Sequence, residues 1–214
     1  MYVPGHFRET DQATLDGFIR QHDFATLVSW DGARPVASHL LLELERAADG
    51  TAWLHGHMSR ANPQWRSFEG GREVLAIFSG PHSYVSAGWY NHVNVPTWNY
   101  LAAHVYGVPE LITDAGALKA MLKRLVDKHE AAEGATPPYR LEALPDGYVD
   151  KALEGVAGFR IRVTRIEAGF KLSQNRDERD YDAVVAGLER RGDENSAAIA
   201  RAMRAGRRAG RAGG

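Results

Sequence analysis

The sequence predicts a mainly β protein with peripheral helices, an α+β chain built on a small antiparallel barrel. Three observations predict it. Apolar runs recur at strand length, Asp-Gly and Gly-Gly pairs punctuate them, and helical spacing is confined to the two ends and one crossover. The 214 residues are 44% apolar and 25% charged, an ordinary folded composition that argues against disorder, collagen-like repeats or a coiled coil. The absence of cysteine excludes a disulfide scaffold, thiol catalysis and thiolate metal centres.

In chain order, Thr10 reads as the cap of an amphipathic helix over 11–22, with Leu15, Phe18 and Ile19 at helical spacing. Strands follow at 24–30 and 35–45, joined by the hairpin signal Asp31-Gly32. A strand is expected at 51–57, and then Asn62-Pro63 starts a short helix that Gly70-Gly71 ends. Val74–Phe78 reads as a buried strand and 100–113 as another. Asp114 caps a helix to about 131, with Leu118, Met121, Leu122, Leu125 and Val126 facing inward. After Pro137-Pro138, residues 156–166 alternate as a half-exposed strand. Helices over 177–191 and 194–205 close the chain. The expected organisation is a barrel domain over 1–175, a helical arm over 176–205 and a flexible Arg/Gly-rich tail over 206–214.

Net charge is −1, yet residues 1–200 carry 21 basic against 27 acidic groups, and 201–214 carry five arginines and no acid. An acidic body with a basic end is a different object from a neutral protein. No run reaches the roughly 20 apolar residues of a spanning helix, and the opening lacks the pattern of a secretory signal. The expectation is a cytoplasmic protein with no membrane partner.

Charge is missing altogether from residues 74–109, a 36-residue window holding Tyr84, Trp89, Tyr90, Trp98, Tyr100 and Tyr106 with His82, His92 and His104. Flat side chains beside neutral hydrogen-bonding groups suit a planar heteroaromatic ligand, and equally a subunit interface. A second constellation is the turn after the 51–57 strand. Ser59 offers a hydroxyl, Arg60 a planar fork, and the Asn62-Pro63 start free N–H groups, together fitting a phosphate or a plain capped turn. His55 and His57 point to one face of their strand, where a hydrogen-bonding or core role competes with the beginnings of a metal site. Lys171, Gln174 and Asn175 bring a cation and two amides into one late loop, which suits the donor-acceptor edge of a flavin or an ordinary exposed connection. No Gly-rich nucleotide loop and no Gly-x-Ser-x-Gly elbow is present.

Read together, Met1-Tyr-Val-Pro-Gly-His-Phe7, Gly56–Trp65, Phe78–Val85, Val95-Pro-Thr-Trp-Asn-Tyr100, His104-Val-Tyr-Gly107 and Phe170-Lys-Leu-Ser-Gln-Asn175 resemble the PaiB-like, FMN-binding negative transcriptional regulators. The resemblance runs in order from residue 1 to about 190. It implies an FMN-binding split β-barrel of the pyridoxamine-phosphate-oxidase type, homodimeric, with flavin at the subunit interface. It implies that Ser59, Arg60 and Asn62 hold the phosphate with Ser38, His39 and His57 from the neighbouring strands. It places Lys171, Gln174 and Asn175 near the cofactor, and Trp98 and Asn99 beside it from the partner. The oxidase's substrate-binding arginine motif is not recognisable here. The implied function is a repressor that senses redox or metabolic state, with DNA as a further partner. The alternative is a flavin-dependent oxidoreductase of a small molecule, and behind that a haem- or metal-binding barrel through His55 and His57. No catalytic residue can be assigned.

Overall fold

Alternation along the strands decides which side chains are buried, and so where each site residue points. A computed structural model describes residues 1–137 and 139–212, with side chains as far as 206. The elements are β1 (Arg8–Glu9), α1 (Gln12–Gln21), β2 (Phe24–Trp30), β3 (Pro35–Arg46), β4 (Ala52–Ser59), β5 (Val74–Val85), β6 (Thr97–Leu111), α2 (Ala115–Glu133), α3 (Tyr148–Leu153), β7 (Val156–Lys171), α4 (Glu178–Arg191) and α5 (Glu194–Ala212). The strands form one sheet in the order β1-β7-β4-β3-β2-β5-β6, and β6 also pairs with β7. The pairs β1–β7, β2–β3, β2–β5, β3–β4 and β4–β7 are antiparallel. The chain divides into two compact units, the first made of 1–22, 78–104 and 167–214, the second of 23–77 and 105–166.

In the second unit, β2 and β3 pair from Phe24↔Leu41 to Trp30↔Pro35 around the expected Asp31-Gly32 turn. The Asp31 carboxylate accepts from the Ala33 and Arg34 N–H groups, and Gly32 takes a positive φ of 105° that glycine alone adopts freely. β4 buries Ala52, Leu54, Gly56 and Met58 on one face and turns Trp53, His55 and His57 to the other. A side chain at Gly56 would lie 2.7 Å from Leu42 and 2.8 Å from Phe159, so close strand packing requires glycine there. Asp114 caps α2 as expected, accepting from Ala117 N–H at 2.7 Å. Of the five expected inward residues, Leu118 and Met121 are buried and pack at Gly158, while Leu122, Leu125 and Val126 are half-buried.

In the first unit, the cap of α1 is Asp11 and not Thr10. The Asp11 carboxylate accepts from both the backbone N–H and the hydroxyl of Thr14, two bonds where Thr10 offers one acceptor. Leu15, Phe18 and Ile19 are buried as expected. Val184, Val185 and Leu188 of α4 and Ile199, Ala200 and Met203 of α5 form a core with Val85, Tyr90 and Leu172. The Trp89 ring lies against Gly187, where a Cβ would come within 2.4 Å of it. Arg191 closes this unit by donating to Ser83 Oγ and the Tyr84 carbonyl at 2.8 and 2.7 Å.

Three strands run beyond their expected ends. β5 continues through Ser79-Gly80-Pro81, because the Phe18 ring and the Leu101 carbonyl fill the space a Gly80 side chain would take. β6 starts at Thr97 and β7 runs on to Lys171. The helices of the expected 176–205 arm belong to the first unit, and the α5 backbone continues to Ala212. The expected tail over 206–214 lies, apart from Gly206 and that backbone, outside the described residues. Among the described residues no helix is long and apolar enough to cross a membrane.

Candidate functional site

The sequence-predicted site residues fall into two groups, one in each unit. In the second unit, β4 ends at Ser59 and the chain turns into a 3₁₀ turn over Pro63–Phe68. Ser59 Oγ accepts from Ala61 N–H at 3.2 Å, and the Ser59 carbonyl accepts from Asn62 N–H at 2.9 Å. Asn62 caps the 3₁₀ turn through Gln64 N–H, and its amide nitrogen donates to Ser38 Oγ at 2.8 Å. Both hydroxyls therefore act as acceptors inside the turn, and each keeps its own proton for an outside acceptor.

Arg60 is tied by its backbone and free at its head. Its N–H donates to the Gly155 carbonyl at 2.9 Å, and its carbonyl accepts from Trp65 Nε1 at 3.1 Å. Among the described residues its exposed guanidinium makes no ion pair. Two hydroxyl protons, one on the turn and one on neighbouring β3, and the uncommitted guanidinium of Arg60 form a donor set suited to a phosphate oxygen cluster. Gln64 braces this turn, and sequence reasoning missed it. Its buried amide nitrogen donates to the Leu27 carbonyl at 3.0 Å and to Ser29 Oγ at 3.2 Å. A glutamine directly behind an Asn-Pro cap was the available signal.

His39 sits on exposed β3, bonded to Thr26 Oγ1 at 3.0 Å and stacked on Phe24. His55 Nε2 lies 3.2 Å from Glu45, and burial lowers its pKa although that carboxylate opposes the shift. Burial likewise lowers the pKa of His57, so both imidazoles favour their neutral forms. Their Nδ1 atoms are buried without a hydrogen-bond partner. Among the described residues no group of three or more His, Asp or Glu side chains is arranged to hold a metal ion.

In the first unit, Asn99 is fully buried. Its amide nitrogen donates to Ser173 Oγ at 3.0 Å, and Ser173 holds a left-handed φ of 62°. Asn99 thus shapes the 171–175 loop from within. Gln174 closes the same loop, accepting from Leu172 N–H and donating to the Phe170 carbonyl. Lys171 donates to Thr97 Oγ1, with no carboxylate partner among the described residues. Asn175 is exposed. Trp98 is half-exposed and lies within ring-contact distance of His82 and Tyr84, an outward aromatic cluster from the charge-free window.

Comparison with known proteins gives the family and the fold. The FMN-binding domain family FMN_bind_2 matches residues 1–165. The chain is 36% identical over 203 residues to the protease synthase and sporulation protein PAI 2 of Bacillus subtilis (strain 168), covering 95% of this chain and 96% of that protein. Among solved structures it is similar to the flavocytochrome Anf3 of Azotobacter vinelandii, with a TM-score of 0.64 at 18% identity, covering 85% of this chain and 78% of that one. It is also similar to the FAD and heme binding protein of Mycobacterium smegmatis, with a TM-score of 0.56 at 19% identity over 83% and 79% of the two chains. The fold is the mainly antiparallel, helix-decorated sheet of the flavin-binding split barrels. Matched by the family over 165 consecutive residues and by a curated relative almost from end to end, the chain belongs to the PaiB-like family of FMN-binding proteins.

Proposed function

We propose that the protein is a homodimeric FMN-dependent transcriptional regulator of the PaiB type, with the cofactor's phosphate on the Ser59–Asn62 turn. The donor set carries the reading: Ser38 and Ser59 keep hydroxyl protons for an anion, and the Arg60 guanidinium has no competing carboxylate among the described residues. His39 and His57 lie on the same strands as Ser38 and Ser59, and burial favours the neutral form of His57. Lys171, Gln174 and Asn175 are assigned to the flavin ring edge, with Asn99 positioning their loop and Trp98 of a second copy covering the cofactor. FMN supplies electron transfer when bound, and the residues named here bind and orient it. Exposed aromatics in a stretch without charge support a self-associating surface. The relationship to a protein named for protease synthesis and sporulation fits a role in controlling gene expression, which we place in the cytoplasm.

The test uses the full chain loaded with FMN. Light scattering should give the mass of two chains. Mobility shifts on the duplex upstream of its own coding region should show saturable binding that weakens steeply with salt, because phosphate contacts release counterions. Substituting Arg207, Arg208 and Arg211 by Gln should flatten that salt slope. A single-chain mass, or binding equal to that of a scrambled duplex, would count against this role. Rapid bleaching of the flavin by NADH under anaerobic conditions would favour the oxidoreductase instead.

A further inference from the structure

Small residues line the inner side of α5 where it crosses the first unit. Ala202 and Ala205 stand over Leu101, Phe170 and Leu172, and an open cavity of about 820 Å³ lies between them. That volume is in the range of sites that take small molecules. The polar groups around it are mostly committed. Gln174 is closed on its own loop, and Tyr181 donates to the Met203 carbonyl at 2.6 Å. Glu9 turns one carboxylate oxygen to the N–H groups of Thr10 and Asp11 at 2.8 and 2.7 Å, and Glu178 has an interaction of its own.

Arg176 is the exception. Its guanidinium lies over the Tyr90 ring, 4.7 Å from the centroid, so stacking fixes it without neutralising it. Among the described residues it makes no ion pair. Lys171, five residues earlier, does not line the cavity, and it too has no carboxylate partner among the described residues. Burial, and then the charge of Arg176, hold the Lys171 pKa below the usual lysine value. A cation without a counter-ion beside an apolar floor complements an anion that carries an apolar body. The Glu9 and Glu178 carboxylates on the same rim disfavour a polyanion, which they would repel.

We propose that this cavity binds a small amphipathic monoanion, an organic carboxylate whose head pairs with Arg176 and whose aliphatic or aromatic body lies on Leu101, Phe170 and Leu172 beneath α5. Bound there, the carboxylate bridges the 170–176 segment to α5, the helix whose basic end lies at the chain terminus. No lining residue of the cavity belongs to the phosphate turn, and Gln174, the one residue it shares with the proposed ring edge, is not used to hold the carboxylate, so the two readings fail independently.

Calorimetric titration of the FMN-loaded full chain with octanoate, using 1-octanol as the uncharged control, tests this. Octanoate should saturate one site per chain and bind more tightly than octanol. Arg176→Gln should weaken octanoate by roughly ten- to hundredfold, the effect of one charge-assisted contact, and leave octanol unchanged. Ala202→Leu should fill the space beneath α5 and abolish both. Flavin absorbance, followed in the same samples, should stay constant. Equal affinity for octanol and octanoate, or an Arg176→Gln variant that binds octanoate as well as the wild type, would overturn the proposal. Release of FMN by octanoate would do the same, by assigning the cavity to the cofactor.

Discussion

Replacing Arg60 by alanine is expected to weaken FMN binding by roughly ten- to hundredfold, because a charge-assisted contact to phosphate contributes about 1.5–3 kcal/mol. The turn should survive the change. Its shape depends on the Asn62 cap, the Asn62–Ser38 bond and the Gln64 brace, none of which uses the Arg60 side chain. The backbone contacts to Gly155 and Trp65 also remain. Fluorescence titration of apo-protein with FMN measures the loss, and circular dichroism should show an unchanged fold. FMN affinity equal to that of the wild type would mean that the phosphate lies elsewhere.

Gly107→Ala carries the largest expected stability effect. A Cβ at Gly107 would sit 2.5 Å from the Arg162 carbonyl oxygen and 2.6 Å from Ile161 Cγ2. The first contact is with backbone, which cannot move aside as a flexible side chain can. β6 and β7 would have to separate where they pair, and Ile161 is among the most buried side chains. The expected cost is about 3 kcal/mol, at the upper end of overpacking substitutions. Urea unfolding of the wild type and the variant measures it. A loss below about 1 kcal/mol would contradict so close an approach of the two strands. Gly158→Ala makes a useful contrast, since its nearest neighbour is Leu118 Cδ1, the end of a flexible side chain and not backbone.

Local rules made much of this fold legible. The Asp31-Gly32 hairpin, the Asp114 cap and the Asn62-Pro63 turn each rest on interactions within a few residues, and each forms where the sequence placed it. Positions settled by distant neighbours were not legible. The strand expected over Val74–Phe78 continues through Gly80-Pro81, where the missing side chain of Gly80 leaves space for the Phe18 ring of α1 to pack against β5. Thr10 and Asp11 are both good caps, and only the second bond to the Thr14 hydroxyl separates them. The short α3 has no side-chain cap to announce it, since its N-cap is Gly147 in a left-handed conformation. For the site, residue type and spacing mark out the Ser59–Asn62 turn, which we propose holds the phosphate, but not its brace, Gln64, whose bonds reach back to Leu27 and Ser29. The family motif implies Asn99 beside the cofactor, and the sequence does not show that its amide also donates to Ser173 Oγ. Arg176 drew no notice because its meaning depends on Tyr90 and on a cavity formed by segments far apart in sequence.

FMN and riboflavin share the isoalloxazine ring and differ only in the phosphate. Their relative affinity for the wild-type apo-protein therefore tests the central claim most directly. With Ser38, Ser59 and Arg60 all donating to phosphate, FMN should bind at least a hundredfold more tightly, roughly the effect of one charged and two neutral hydrogen bonds. Equal affinity for the two flavins would contradict a phosphate site at the Ser59–Asn62 turn.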